Sequence, residues 1–167
     1  MAETPQQYTQ RILGFVQDRA PLEVLEETPL KLAELVAGRK DGELGRRPAP
    51  EKWSVAEILA HLADAEMVVG FRVRLMLGQN GVAIQAFDQD EWAKFSHYEK
   101  SKAYQSLERL RVQRHANLEL FRSLSAAQWE QYGMHSERGK ETVAHTVKML
   151  AGHDLNHRSQ LTKILGG

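Results

Sequence analysis

The sequence predicts an all-α protein, a four-helix bundle, and three observations carry that class. Helix start signals recur along the 167 residues, apolar side chains return at intervals of three and four, and the alternation of β-branched residues that marks strands is almost absent. Four long amphipathic segments in so short a chain bury their stripes most simply against one another. One domain spanning residues 1–167 is expected, because this length supplies one substantial core and falls short of two.

The elements follow in order. Thr4 and Pro5 read as a cap and first position, and Tyr8, Ile12, Phe15 and Val16 recur at helical spacing behind them. Pro21 and Pro29 punctuate the next stretch. Pro29 follows Thr28 as a first-turn proline follows its cap, and Leu32, Leu35 and Val36 carry the face to a stop at Gly38. This broken segment is the first bundle helix. The second starts at WSVAEI, where Ser54 and Glu57 form a capping box and Trp53 and Ile58 a hydrophobic staple. It runs from Val55 to Leu77, with Gly78 as its stop and an apolar face through Ile58, Leu62, Val69, Val73 and Met76.

Residues 79–98 hold no sustained period, and a connection of that length points to a function or to a long crossover. The third helix runs from Lys102 to Ser123 on Leu107, Leu110, Leu118 and Phe121, a face that Arg114 interrupts. Ser125 and Gln128 repeat the capping-box spacing over one short turn before a loop through GMHSERGK. The fourth helix begins near Thr142 and ends at Gly166.

Composition removes several functions. Lys plus Arg and Asp plus Glu are 22 each, so no field draws in nucleic acid or an anionic membrane, and neither partner is expected. With no cysteine there is no disulfide, thiolate ligand or cysteine nucleophile, and any metal must use nitrogen or oxygen. The N-terminal MAETPQQYTQR lacks the apolar core of a signal peptide, and no run nears the roughly 20 apolar residues of a membrane span. A cytoplasmic protein is expected.

The last helix poses the chemical question. Its stripe reads Val143, Val147, Leu150, His153, His157, Leu161 and Ile164, so two histidines occupy positions that call for apolar side chains. Residues four apart on a helix stack with Cβ atoms about 6 Å apart, and their imidazoles can converge on one point. The bland alternative is a pair of hydrogen-bonded core histidines. His61, in HLADAE on the second helix, is a candidate third ligand. Three neutral imidazoles with open positions match catalytic zinc and also suit nickel, iron or manganese. His145 stands about 12 Å along the axis from His153, too far to share the ion. His97, His115 and His135 read as loop or surface residues, with His135 the one held in reserve, and the HExxH zincin motif is absent.

The run PAPEKWSVAEILAHLADAE, joined to AGHDLNHRSQL near the C-terminus, resembles the DinB-like superfamily, whose members include candidate metal-dependent hydrolases. The resemblance extends from about Pro21 onward. It implies a bundle of up-down-down-up order, consistent with the long connection between helices two and three. It also implies a divalent metal, zinc or nickel before iron or manganese, held by His61, His153 and His157. The activity it implies is hydrolysis of a small molecule, with a transferase or isomerase using a low-molecular-weight thiol such as mycothiol or bacillithiol as the alternative. A non-catalytic metal scaffold or sensor is the third reading.

Candidates around the metal are fewer. Asp64 and Glu66 are carboxylates near His61, though neither shares its face, and Asp154 and Asn156 point off the stripe. Arg72, three turns beyond His61, and Arg114 are the candidate substrate-binding cations; each can instead lay its stem along the bundle and pair with a glutamate. FDQDEW, through Phe87, Asp88 and Trp92, can lid the pocket, pack, or take part in a homodimer contact.

Overall fold

The computed structural model describes residues 3–166; Met1, Ala2 and Gly167, the ends of the expected domain, lie outside the described residues. Its long helices are α1 (Pro5–Val16), α2 (Pro21–Val36), α4 (Val55–Gly78), α6 (Ala103–Ser123) and α8 (Val143–Leu165), with short helices α3 (Asp41–Leu44), α5 (Gln89–Phe95) and α7 (Ala126–Trp129) between them. The helix starts expected at Ser54, Ser125 and Thr142 stand. Ser54 and Ser125 both make reciprocal capping boxes, and Thr142 Oγ1 accepts from the His145 N–H at the start of α8.

The bundle consists of α2, α4, α6 and α8, with α1 packed along α8. Pairings give the directions. Leu62 packs near Leu107 and Leu110 while Val73 and Met76 pack near Leu118 and Phe121, so α4 and α6 run parallel. Val24 and Leu25 lie with Val147 and Leu150, and Leu32 and Val36 with Leu161, so α2 and α8 are also parallel. Ile58 lies with Leu161 and Val73 with Val147, which makes α4 and α8 antiparallel. The order is up-down-down-up, and the segment from Gln79 to Lys102 is the crossover it requires.

Three expectations are corrected. Residues 79–98 are structured: strand β1 (Val82–Ile84), α5 and a 3₁₀ turn at Tyr98–Lys100 fill them. The GMHSERGK loop is a hairpin of β2 (Tyr132–His135) and β3 (Gly139–Thr142), turned through Gly139 at φ +76°. β1 pairs parallel with β2, and β2 antiparallel with β3, into a three-stranded sheet beside the bundle. Strands of three and four residues carry too little alternation to be read as strands. Pro29, finally, is not a first-turn residue: it lies inside α2, whose first position is Pro21. The helix survives because Thr28 and Pro29 are both buried, with Thr28 Oγ1 donating to the Val24 carbonyl at 2.8 Å.

The core divides into two apolar halves. One holds Leu32, Ile58, Leu62, Leu107, Leu110 and Leu161; the other holds Leu25, Val73, Met76, Phe121, Val147 and Leu150. Between them each bundle helix contributes a buried polar side chain: Thr28, Glu66, Arg114 and Asp154. Among the described residues no helix is long and apolar enough to cross a membrane.

Candidate metal centre

One helix start fixes Trp53 and His61 together. Ser54 donates its N–H to Glu57 Oε2 at 2.7 Å, its Oγ accepts from the Glu57 N–H, and Arg47 closes on the same carboxylate. Two turns later His61 is 2% exposed, its ring centroid 5.1 Å from that of Trp53. From the antiparallel α8 come His153 and His157. The Nε2 atoms of His61 and His153 are 2.9 Å apart and those of His153 and His157 3.2 Å apart, with all three donor atoms within 4.8 Å of one another.

Three imidazole nitrogens meeting at one point can be bridged by an N–H of one ring donating to another or by a cation shared among their lone pairs. Ligand nitrogens at about 2.0–2.1 Å from a zinc ion stand about 3 Å apart, so the 2.9 and 3.2 Å separations are of the size a shared ion gives. His157 has its tautomer set for that role: Nδ1 faces Gln160 Oε1 at 2.9 Å, and an Nδ1–H donating there leaves Nε2 unprotonated. His153 Nδ1 is buried without a hydrogen-bond partner. Burial pushes the His61 imidazole down to about 3, with the His157 charge adding to it, and pushes His157 down to about 4. His153 falls well below the ordinary range, chiefly through burial and then through His157 and His61. All three are neutral bases at physiological pH, the form a metal requires.

His61 and His153 line a cavity of about 350 Å³. Its other walls are α4, the Ala86–Phe87 stretch, the hairpin and the start of α1. Gly152 permits α1 to come this close, since a Cβ there would meet the Ile12 carbonyl oxygen at 2.2 Å. Arg72 lines the cavity, bonded to the Gln85 carbonyl and stacked over Phe87 at 5.6 Å. Arg114 does not. It is 1% exposed in the polar layer, where its guanidinium meets Glu66 at 2.8 Å, Asp154 at 2.9 Å and the Leu25 carbonyl at 2.6 Å. Its charge is paired within the core, the glutamate pairing that was the alternative to a substrate contact.

That cluster also removes Glu66 as a base, and Asp64 accepts from the Tyr98 hydroxyl at 2.6 Å and pairs with Arg109, away from the cavity. Asn156 bonds Arg11. Phe87 forms cavity wall with Trp92 packed behind it at 4.9 Å, while Asp88 caps α5. His97 and His115 are exposed, and His145 lies beside Glu141 at 3.7 Å.

The sheet brings in Glu141, which the sequence reading passed over, and His135, held in reserve there as a loop or surface residue and here a buried strand residue. Gly133 pairs with Glu141 across β2 and β3, so Glu141 and His135 share one face, turned toward the cavity. Both are at most 5% exposed, and Arg138 forks onto the Glu141 carboxylate at 2.6 and 3.0 Å. Thr146 and Tyr8 complete this wall. The signal was the hairpin itself, with its glycine turn after SER.

An up-down-down-up bundle with three histidines gathered from its antiparallel α4 and α8 defines the class: a helical-bundle protein with a three-histidine cluster that could hold a metal ion. The DinB superfamily model matches residues 25–161, and the chain belongs to that superfamily. It is 26% identical over 145 residues to YfiT of Bacillus subtilis, a candidate metal-dependent hydrolase, covering 86% of this chain and 81% of that one. A candidate metal-dependent hydrolase of Oceanobacillus iheyensis is 24% identical over 140 residues, covering 84% and 81%. The structure of YfiT, described as a probable metal-dependent hydrolase with an unusual four-helix bundle topology, superposes with a TM-score of 0.77 at 22% identity, covering 99% of this chain and 91% of that chain.

Proposed function

We propose that the protein is a metal-dependent hydrolase of a small molecule, with His61, His153 and His157 as the ligands of a divalent ion. The observation that carries this reading is the meeting of three Nε2 atoms beside a cavity that His61 and His153 line and that is large enough for a small substrate. A divalent ion held there supplies Lewis acidity toward a carbonyl and makes water ionise near neutral pH. The chain supplies the rest. Gln160 orients His157, Trp53 packs the far side of His61, and Phe87 with Tyr8 narrows the cavity and limits water. Glu141, held ionised by Arg138 despite its burial, is the buried carboxylate facing the cavity. The names given to the relatives support the same reaction class.

The test is metal content by elemental analysis of untagged protein, beside His61→Ala and His153→Ala, followed by an ester and amide screen of the loaded protein. Near-stoichiometric metal lost in both variants, with turnover only in the loaded wild type, is the expected result. A wild type that stays empty after exposure to zinc, nickel, iron and manganese sinks the reading. Metal without hydrolysis, but with transfer to an added thiol, would move the assignment to a thiol-dependent transferase.

A further inference from the structure

The cavity holds unpaired polar groups that the metal does not use. His135 is 3% exposed, its Nδ1 accepts from the Glu137 N–H at 3.2 Å, and the ring's proton therefore sits on Nε2, which is buried without a partner. Thr146, two turns before His153 on α8, is 6% exposed and its Oγ1 likewise has no partner. Buried donors left unmatched are costly and rare, so a pair of them on one cavity wall calls for an occupant with acceptor atoms.

Charge says which kind. Of the cations lining the cavity, Arg138 is committed to Glu141 by two bonds. Arg72 has the Gln85 carbonyl and the Phe87 face, and no described carboxylate pairs with it. At the mouth, Glu3 is taken by Arg11 and Glu137 is exposed. One cation is left over, and it lines the same cavity as the two unmatched hydrogen-bonding groups. A planar guanidinium, an imidazole N–H and a hydroxyl suit a single carboxylate, whose two oxygens accept four bonds, and one excess charge suits a monoanion better than a phosphate.

We propose that Arg72, His135 and Thr146 form a carboxylate-binding subsite, and that the substrate is a small carboxylic acid whose second functional group reaches the histidine cluster. The proposal rests on the metal-centre reading for that second group and on the cavity alone for the carboxylate. It goes beyond the reaction class by stating what the substrate must carry.

The probes are the monohydroxamates of succinate, glutarate and adipate, each against its terminal carboxamide, titrated calorimetrically into zinc-loaded protein. Hydroxamate engages the metal in both members of a pair, and the far end differs only in charge. The best-fitting acid should bind at least about tenfold tighter than its amide, the advantage of a charge-assisted contact over a neutral one. Arg72→Gln should bring the two within about twofold while leaving the amide's affinity alone, and Thr146→Val should reduce the acid's advantage by a smaller factor. Equal binding of acid and amide at every chain length in wild type, or an advantage that survives Arg72→Gln, overturns the subsite. If neither member binds, the open metal centre is what has failed. The subsite is then decided by the His135 Nε2 ¹⁵N resonance during titration with glutarate alone: a saturable shift lost in Arg72→Gln supports it, and no shift overturns it.

Discussion

Arg114 Nη1 lies 2.6 Å from the carbonyl oxygen of Leu25, the acceptor that Pro29, four residues on, has no N–H to fill. The proline defect in α2 and the charge on α6 are one arrangement. A helical carbonyl stranded in the core by Pro29 is satisfied by a guanidinium that is itself held by Glu66 and Asp154. This ties all four bundle helices together at the polar layer, and Thr28 from the same turn of α2 stands beside Asp154.

Removing the cation should therefore be severe. Arg114→Met leaves two buried carboxylates unpaired and is expected to cost about 3–5 kcal/mol in urea unfolding. Arg114→Lys keeps the charge but not the fork, and should fall between the two. Pro29→Ala restores an N–H for Leu25, so it should recover about 1 kcal/mol in the Arg114→Met background and contribute less in wild type. Additive effects across that double-mutant cycle would show the two sites to be independent.

Metal occupancy should be visible as stability. An ion that binds only the folded chain adds about 2.7 kcal/mol at a free concentration 100-fold above its Kd, so zinc should raise the Tm of wild type and a chelator should return it. In His153→Ala the zinc-induced rise should vanish. A rise of equal size in that variant would place the metal elsewhere.

Gln160 is expected to matter without touching the ion. Its Oε1 fixes the His157 ring through Nδ1, and loss of such an orienting partner typically weakens metal affinity about 10–100-fold. Gln160→Leu should show this in a competition titration with a chromophoric chelator, with unfolding of the metal-free protein little changed. An unaltered zinc affinity would mean that packing alone orients His157.

The histidine cluster was legible because helices translate sequence spacing directly into a shared face: His153 and His157 stand four apart, and His61 sits at the edge of a stripe with a well-marked start. The bundle order became legible through the length of the segment after Gly78 and through the superfamily resemblance. What escaped was non-local. Pro29 read as a helix start because nothing nearby in sequence shows that Arg114 will serve its orphaned carbonyl. Arg114 stayed open between a ligand-binding cation and a partner for a glutamate because its carboxylates are distant in sequence, Glu66 48 residues before it and Asp154 on the last helix. His135 and Glu141 gained their inward face from strands of four residues, paired through a register that no local period encodes.

Acid should unfold the metal-free protein through its own ligands. In the unfolded chain a histidine titrates near 6.5, whereas burial holds His61 at about 3 and His157 at about 4 in the fold. Between those values the unfolded state binds protons that the native state refuses, so stability increases with pH across the window and is lost as pH falls below about 6.5. Each such histidine contributes a slope of about 1.4 kcal/mol per pH unit. Urea midpoints of chelator-treated protein between about pH 6.5 and 4 should thus decline steeply, and His61→Phe, which removes one titrating group, should flatten the decline by about one proton. Proton uptake on unfolding, measured directly at pH 5, checks the same quantity, and equal uptake by wild type and His61→Phe would show that His61 does not carry the depressed value.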